Sequence, residues 1–344
     1  MVSAGERVLG WAVRLLPERR RGWGLAMRAE LAQLESRGER RSFVLGCVMA
    51  VLRHPTVWLG LRYPVLLAAT LTAGVLWSAQ IAYAPLRTAV FAMLAVLIGL
   101  LAIGRWKGFL GPVRADRPAR GIRAIGVALV AVLAIRTIGQ FVRAVSSFDE
   151  SAGTAAPIYT TIFGCYLCAF LAVTAQRSAA QSQNLATAGR AAAIAVAGWT
   201  VISLLWPPLP TTGAFALLAV SAAIFIAIGR AAGGGGQRVL AALTAGTLAS
   251  LVIFTLVTVV LLRIPRWVPD IGGWALPASL TAAQRLQENQ AYAVDPYIPV
   301  LMIGAILAAV LAVASMVLRR RAGSALAGQR DGHPQAGVGV IELD

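Results

Sequence analysis

Eight apolar runs, separated by short connections of alternating charge character, constrain this chain more than any other feature. They fall at 63–83, 88–104, 124–145, 157–175, 191–206, 213–229, 239–262 and 297–318. A helix rises about 1.5 Å per residue, so about 20 apolar residues cross the roughly 30 Å hydrocarbon core of a bilayer. Inside that core every backbone N–H and C=O must find its partner within the protein, which makes each run a helix. The whole-chain balance agrees. The chain is 58% hydrophobic and 13% charged, with a mean hydropathy of +0.74, whereas soluble domains carry about 25% charged residues. The expected fold is all-α: a polytopic membrane helical bundle of about eight transmembrane helices over 63–318. An amphipathic cytosolic or interfacial helical module, 1–62, precedes it, and a disordered cytosolic tail, 319–344, follows.

The basic residues orient this bundle. The net charge is +17, and Lys107 is the only lysine. With both termini inside, the inner segments hold 25 Lys and Arg residues and the outer segments hold four (Arg87, Arg263, Arg266, Arg285). Such asymmetry in one phase is the positive-inside pattern and predicts a multi-pass protein of the bacterial plasma membrane with both termini cytoplasmic. It also accounts for the charge without nucleic acid, for which the dispersed arginines form no reader motif. Arginine in place of lysine, with abundant Ala, Gly and Val, fits a high-GC bacterial genome.

The connections have their own character. The most basic one, 105–123, contains Gly and Pro and is expected to be irregular. Residues 233–236, four glycines, are expected to form a flexible linker. Within 263–297, Trp267 and Trp274 are expected at the interface. Residues 279–293 read as a polar helix capped by Ser279, with Leu280, Ala283, Leu286 and Ala293 on one side.

The N-terminal module shows two apolar stripes: Val8, Leu9, Ala12, Leu15 and Leu16, then Trp23, Met27, Leu31 and Leu34. A third apolar piece, 43–52, rises only about 15 Å, too short to span. Arg19, Arg20 and Arg21, with Trp23 beside them, are the candidate contacts to an anionic membrane surface or a cytosolic partner. The stretch runs Arg14-Leu15-Leu16-Pro17, Arg19-Arg20-Arg21-Gly22-Trp23, Ala26-Met27, Ala29-Glu30-Leu31 and Phe43-Val44-Leu45-Gly46-Cys47-Val48. Over about the first fifty residues it resembles the helical prefix of uncharacterised actinobacterial multi-pass membrane proteins. It is also similar to the prefix segments of permeases encoded beside PadR-type regulators. The resemblance implies a bacterial plasma-membrane protein with a cytosolic helical module, and it transfers no catalytic residue and no substrate.

One span carries charge. In 124–145, Arg136, Gln140 and Arg143 share a helical face at i, i+4 and i+7. A guanidinium at the bilayer centre costs from about 2.5 kcal/mol upward, so this face should meet other helices, water or an anion. Arg136 thus reads either as an anion, headgroup or gating site, or as a stem that snorkels or bonds to hydroxyls and carbonyls. Tyr159, Thr160, Thr161 and Tyr166 on the next span are its expected hydrogen-bond partners. Cys165 and Cys168 form a CxxC deep in the same span, without a basic neighbour to activate them, and read as small buried residues.

Several chemistries lack their residues. The two histidines, His54 and His333, lie outside the spans, and no assigned span contains Asp or Glu. There is no HExxH and no GxxxxGK[ST]. Metal sites, cofactors and catalytic residues are therefore not expected. The expectation is a non-enzymatic regulatory or accessory membrane protein, with the lipid bilayer and a cytosolic protein as partners through 1–62. The alternative is a permease or transport component handling an anionic or lipid-like substrate near Arg136.

Overall fold

A computed structural model describes residues 7–10, 13, 21–53, 68–70, 72–79, 81, 83–104, 109–144, 151–271 and 279–331. The chain divides into two compact units, Met1–Leu76 and Trp77–Asp344.

The first unit contains helices α1 (Arg21–Gln33) and α2 (Arg37–Arg53). Ser36 sets the start of α2, its hydroxyl accepting from the Glu39 backbone N–H at 3.1 Å. Arg40 Nε donates to the Leu34 carbonyl at 2.5 Å and holds the bend. Leu9, Met27, Leu31, Val44 and Cys47 form a small core, with Val13, Leu34, Phe43 and Val48 packed around it. The expected α1 stripe is shifted by one residue at its start. Trp23 stays 41% exposed and Gly24 is buried. A Cβ on Gly24 would lie 2.3 Å from Val13 Cγ1, so the missing side chain is what lets the preceding segment approach α1. Ala12, Leu15 and Leu16 of the first stripe, and Arg19 and Arg20, fall outside the described residues.

The second unit is an all-α polytopic bundle. Its helices are α3 (Ala84–Ile103), α4 (Arg117–Ala144), α5 (Ser151–Val173), α6 (Ser182–Leu205), α7 (Gly213–Arg230), α8 (Gly235–Thr255), α9 (Ala282–Val294) and α10 (Ile298–Asp331). Among the described residues, seven helices are long and apolar enough to cross a membrane, and they coincide with the second to eighth expected spans. Where the first was expected there is a shorter apolar helix, Ala68–Ser78. Residues 63–67, 71, 80 and 82 of that span lie outside the described residues.

Helix α8 is the centre. It packs against α4, α6, α7 and α10, and 78% of its span is buried, against at most 61% in any other. Its buried side chains mix large apolar residues (Leu240, Leu248, Leu251, Ile253, Phe254) with small and hydroxylated ones. Thr244, Ser250, Thr255 and Thr258 donate to carbonyls one turn back, at 2.7, 2.8, 2.7 and 2.8 Å. These bonds keep those four hydroxyls satisfied away from water, and the small residues let helices approach closely. A Cβ on Gly304 of α10 would fall 2.5 Å from Ser250 Cβ and into the Tyr166 hydroxyl. Tyr166 donates to the Leu301 carbonyl at 3.1 Å, tying α5 to α10 at this contact. Beyond Thr255, α8 continues as a π-helical turn, Leu256–Val260, and a short 3₁₀ turn, Leu261–Arg263.

Several helices begin earlier than the hydropathy indicated, and the reasons are polar. Helix α4 absorbs Arg117, Arg120 and Arg123 from the supposedly irregular connection. Asp116 accepts from the Ala119 N–H at 3.3 Å as a cap, and Pro118 suits the first turn. Helix α6 starts at Ser182, and α8 at Gly235. The glycine run is not a flexible linker: Gly233 and Gly234 make a tight turn, and Gly235 and Gly236 begin α8. Gly233 has φ +94°, and the turn is fixed because Asn184 donates to the Ala232 carbonyl (2.9 Å) and accepts from its N–H (3.0 Å). Gln237 extends this lock, donating to the Ala179 carbonyl at 2.7 Å and accepting from the Gln181 N–H at 3.2 Å. Helix α5 begins at Ser151 with Pro157 inside it. Helix α10 continues to Asp331, so the segment expected to be a disordered tail is helical that far, and 332–344 lie outside the described residues.

At the opposite end, Thr281, not Ser279, caps α9. It forms a capping box in which Gln284 N donates to Thr281 Oγ1 (3.3 Å) and Thr281 N to Gln284 Oε1 (2.9 Å). The buried face of α9 carries Asn289 and Ala293, while Leu286 is 53% exposed. Asn289 holds the Ile271 N–H and Asp270, and Gln290 holds the Leu262 carbonyl, so amide bonds and not an apolar stripe set this face. Trp267 is buried, its indole donating to the Ser203 carbonyl at 3.0 Å, and is not a lipid-facing anchor. Trp274 lies outside the described residues.

Replacing Gly304 with Ala should destabilise the bundle by about 1–3 kcal/mol through overpacking, read as a lower melting temperature in detergent. Asn184→Ala should cost a similar amount, about 1–3 kcal/mol, because it strands the Ala232 amide groups. A melting temperature unchanged in both variants would contradict these contacts.

Candidate functional site

The charged face of α4 sits at the edge of its packed side. Leu133, Thr137, Ile138 and Phe141 are buried, Arg136 is half-buried, and Gln140 is exposed. Arg136 has an interaction partner. Arg143 lies on the helix, but its side chain is outside the described set, so the i, i+4, i+7 face is seen only in part. Of the hydroxyls expected to serve it, Thr160 donates to the Ala156 carbonyl, Thr161 to Pro157 and Tyr166 to Leu301. Tyr159 stacks between Phe141 (6.2 Å) and Phe163 (5.8 Å). Cys165 and Cys168 are free thiols on α5. No cluster of three or more metal-ligating residues occurs among the described residues.

The arginines at the basic end divide into two kinds. Arg123 donates to the carbonyls of Leu110 (3.3 Å), Gly111 (2.8 Å) and Leu171 (3.0 Å), so it clamps the α3–α4 connection to the end of α5. Arg114 lies 3.5 Å from Asp116 and donates to the Ala180 carbonyl, and the backbone bonds Arg114 N to Thr174 O and Gln176 N to Pro112 O complete the clamp. These two are structural.

Arg117 and Arg190 are different. They line a groove of about 750 Å³ between α4 and α6, floored by Leu248 and Val252 of α8. Small residues make it. A Cβ on Gly121 or on Gly189 would meet nothing within 4 Å, whereas one on Gly126, farther along α4, would collide with Phe170 at 2.4 Å. Helix α4 therefore packs closely on α5 but stands off from α6 at its basic end. Apart from the two guanidiniums the lining side chains are apolar. Its lining carries two guanidiniums among apolar side chains, a set suited to holding an amphipathic molecule. The groove does not include Arg136. Sequence reading assigned Arg117 and Arg190 to topology alone. Their meeting depends on which helices are neighbours, which hydropathy does not report.

No protein-family model, curated protein or solved structure matches this chain.

In the N-terminal unit, burial pushes the Cys47 thiol up from its ordinary value, and the Glu30 carboxylate adds to the shift. The thiolate is the reactive species, so a raised pKa leaves less of it at neutral pH. In a Cys165→Ser, Cys168→Ser background, maleimide labelling of Cys47 at pH 7 should be slower than that of a small free thiol. The rate should still be climbing above pH 9.0, the value of an unperturbed thiol. A rate that levels off below that pH would contradict the burial.

Proposed function

We propose that this chain is a non-enzymatic regulatory or accessory protein of the bacterial plasma membrane, with both termini cytoplasmic and the N-terminal module as its contact element. The observation that carries the reading is the surface of that module. It has a core of its own, yet it leaves Trp23, Leu25, Leu45 and Met49 between 41% and 65% exposed. Leu45 and Met49 are one turn apart on α2, opposite the buried Val44, Cys47 and Val51. Exposed apolar side chains on a module that already has its own core suit an interaction face. The 25-to-4 distribution of basic residues supports the orientation, and the likeness of the first fifty residues to permease-prefix segments agrees with a cytosolic role for the module. The apolar lining of the groove supports a binding role over catalysis. Transport centred on Arg136 has less support, since the groove lies elsewhere.

The test is crosslinking in native membranes followed by purification, comparing the full chain with one lacking residues 1–60. A cytosolic protein captured by the full chain and lost from the truncated one is the expected result. If Leu45→Ser with Met49→Ser leaves that capture intact, the exposed face is not the contact. If both chains retain the same partners, the module serves the membrane surface and the regulatory reading fails.

A further inference from the structure

The groove between α4 and α6 has a chemistry that identifies an occupant. Its two helices both start at the basic end and run in the same direction. Arg117 opens α4, and Arg190 lies about two turns into α6. A helical side chain leans back toward the N-terminus, so the Arg190 stem points from its Cα toward the end where Arg117 sits. Past Arg190 the lining is wholly apolar, through Ala193, Val196 and Ala197 to Val252. The groove is thus amphipathic along its length, with guanidiniums toward the basic end and hydrocarbon beyond. Both arginines are exposed, and among the described residues neither has an ion-pair partner. Arg114 and Arg123, by contrast, are occupied with carbonyls. The nearest carboxylate in sequence, Asp116, is already engaged by the Ala119 N–H and by Arg114.

Both helices are among those able to span the membrane, so a groove open between them is reached from the lipid phase. An acyl chain fits the apolar length. A phosphate at the headgroup boundary fits two arginines, which bind phosphate with several donors each. A zwitterionic lipid would bring its own cation to the same place and gain less from them.

We propose that this groove is a binding site for one anionic phospholipid of the leaflet at the basic end. One acyl chain lies between α4 and α6, and the phosphate lies against Arg117 and Arg190. The site is independent of the N-terminal module, and its failure would leave the regulatory reading untouched.

Native mass spectrometry of the full chain, released from vesicles of equal phosphatidylglycerol and phosphatidylcholine, tests it. The chain should retain one phosphatidylglycerol with a preference of roughly 30-fold, the effect of two guanidiniums near the surface on one negative charge. Arg117→Gln with Arg190→Gln should reduce that preference to near unity, and the Lys replacements at both positions should restore most of it. Arg177→Gln with Arg230→Gln, two exposed arginines outside the groove, should leave it unchanged. Ala193→Trp, which fills the apolar length from an exposed position on α6, should expel the lipid while both arginines remain. Equal retention of the two lipids by the unmodified chain would overturn the proposal, as would a preference that survives Ala193→Trp. So would a preference lost equally in the Arg177 and Arg230 variant, which would mean diffuse surface charge. If the Gln pair fails to fold, the Ala193→Trp variant and the Lys pair decide.

Discussion

Hydrocarbon offers no water to complete an unmade hydrogen bond, and the bundle follows from that limit. Its central helix, α8, buries hydroxyls among leucine, isoleucine and phenylalanine side chains. Thr244, Ser250, Thr255 and Thr258 each turn back onto their own helix. A hydroxyl satisfied in this way behaves toward its neighbours as a small, smooth surface, and α6, α7 and α10 can close around it. The glycine at 304 and the hydroxyl of Tyr166 belong to the same arrangement, since the space left by a missing Cβ is taken by a phenol that finds a backbone carbonyl.

The two ends of the bundle satisfy the same requirement with different groups. At the basic end, connections are held by side chains that carry several donors: Arg114, Arg123, Asn184 and Gln237 all reach backbone carbonyls across element boundaries. At the other end, aromatic and amide groups do this. The hydroxyls of Tyr297 and Thr212 lie 2.5 Å apart and both reach the Leu209 carbonyl, while Trp199 meets the Tyr297 ring edge-on at 5.9 Å. Once Arg114 and Arg123 are assigned to architecture, the remaining arginines at the groove stand out as charge that the fold itself does not consume.

Span positions were legible in the sequence because hydrophobic continuity is the quantity that places a helix in a bilayer. Helix starts were less legible. Asp116, Asn184 and Gln237 lengthen α4, α6 and α8 beyond their apolar runs, and they do so through bonds to other segments or to capping positions that hydropathy scores as mere polarity. The glycine run misled for a related reason: its composition allows flexibility, but Asn184, far away in sequence, removes it. The groove was not legible at all. Gly121 and Gly189 are ordinary small residues on paper, and they matter only because no side chain of a neighbouring helix fills the space above them. Arg136, the most conspicuous residue in the sequence, lies half-buried outside it.

The π-helical turn at Leu256–Val260 has a consequence for how this chain can change over time. A π turn holds one more residue than an α turn, so everything beyond it is rotated by about 100° relative to an uninterrupted helix. Trp267, beyond the turn, reaches the Ser203 carbonyl of α6 from that rotated frame. Loss of a single codon in this turn would relax it to α geometry and swing Trp267 away from the Ser203 carbonyl, although not one apolar residue need change in character. The extra residue works as a register pin.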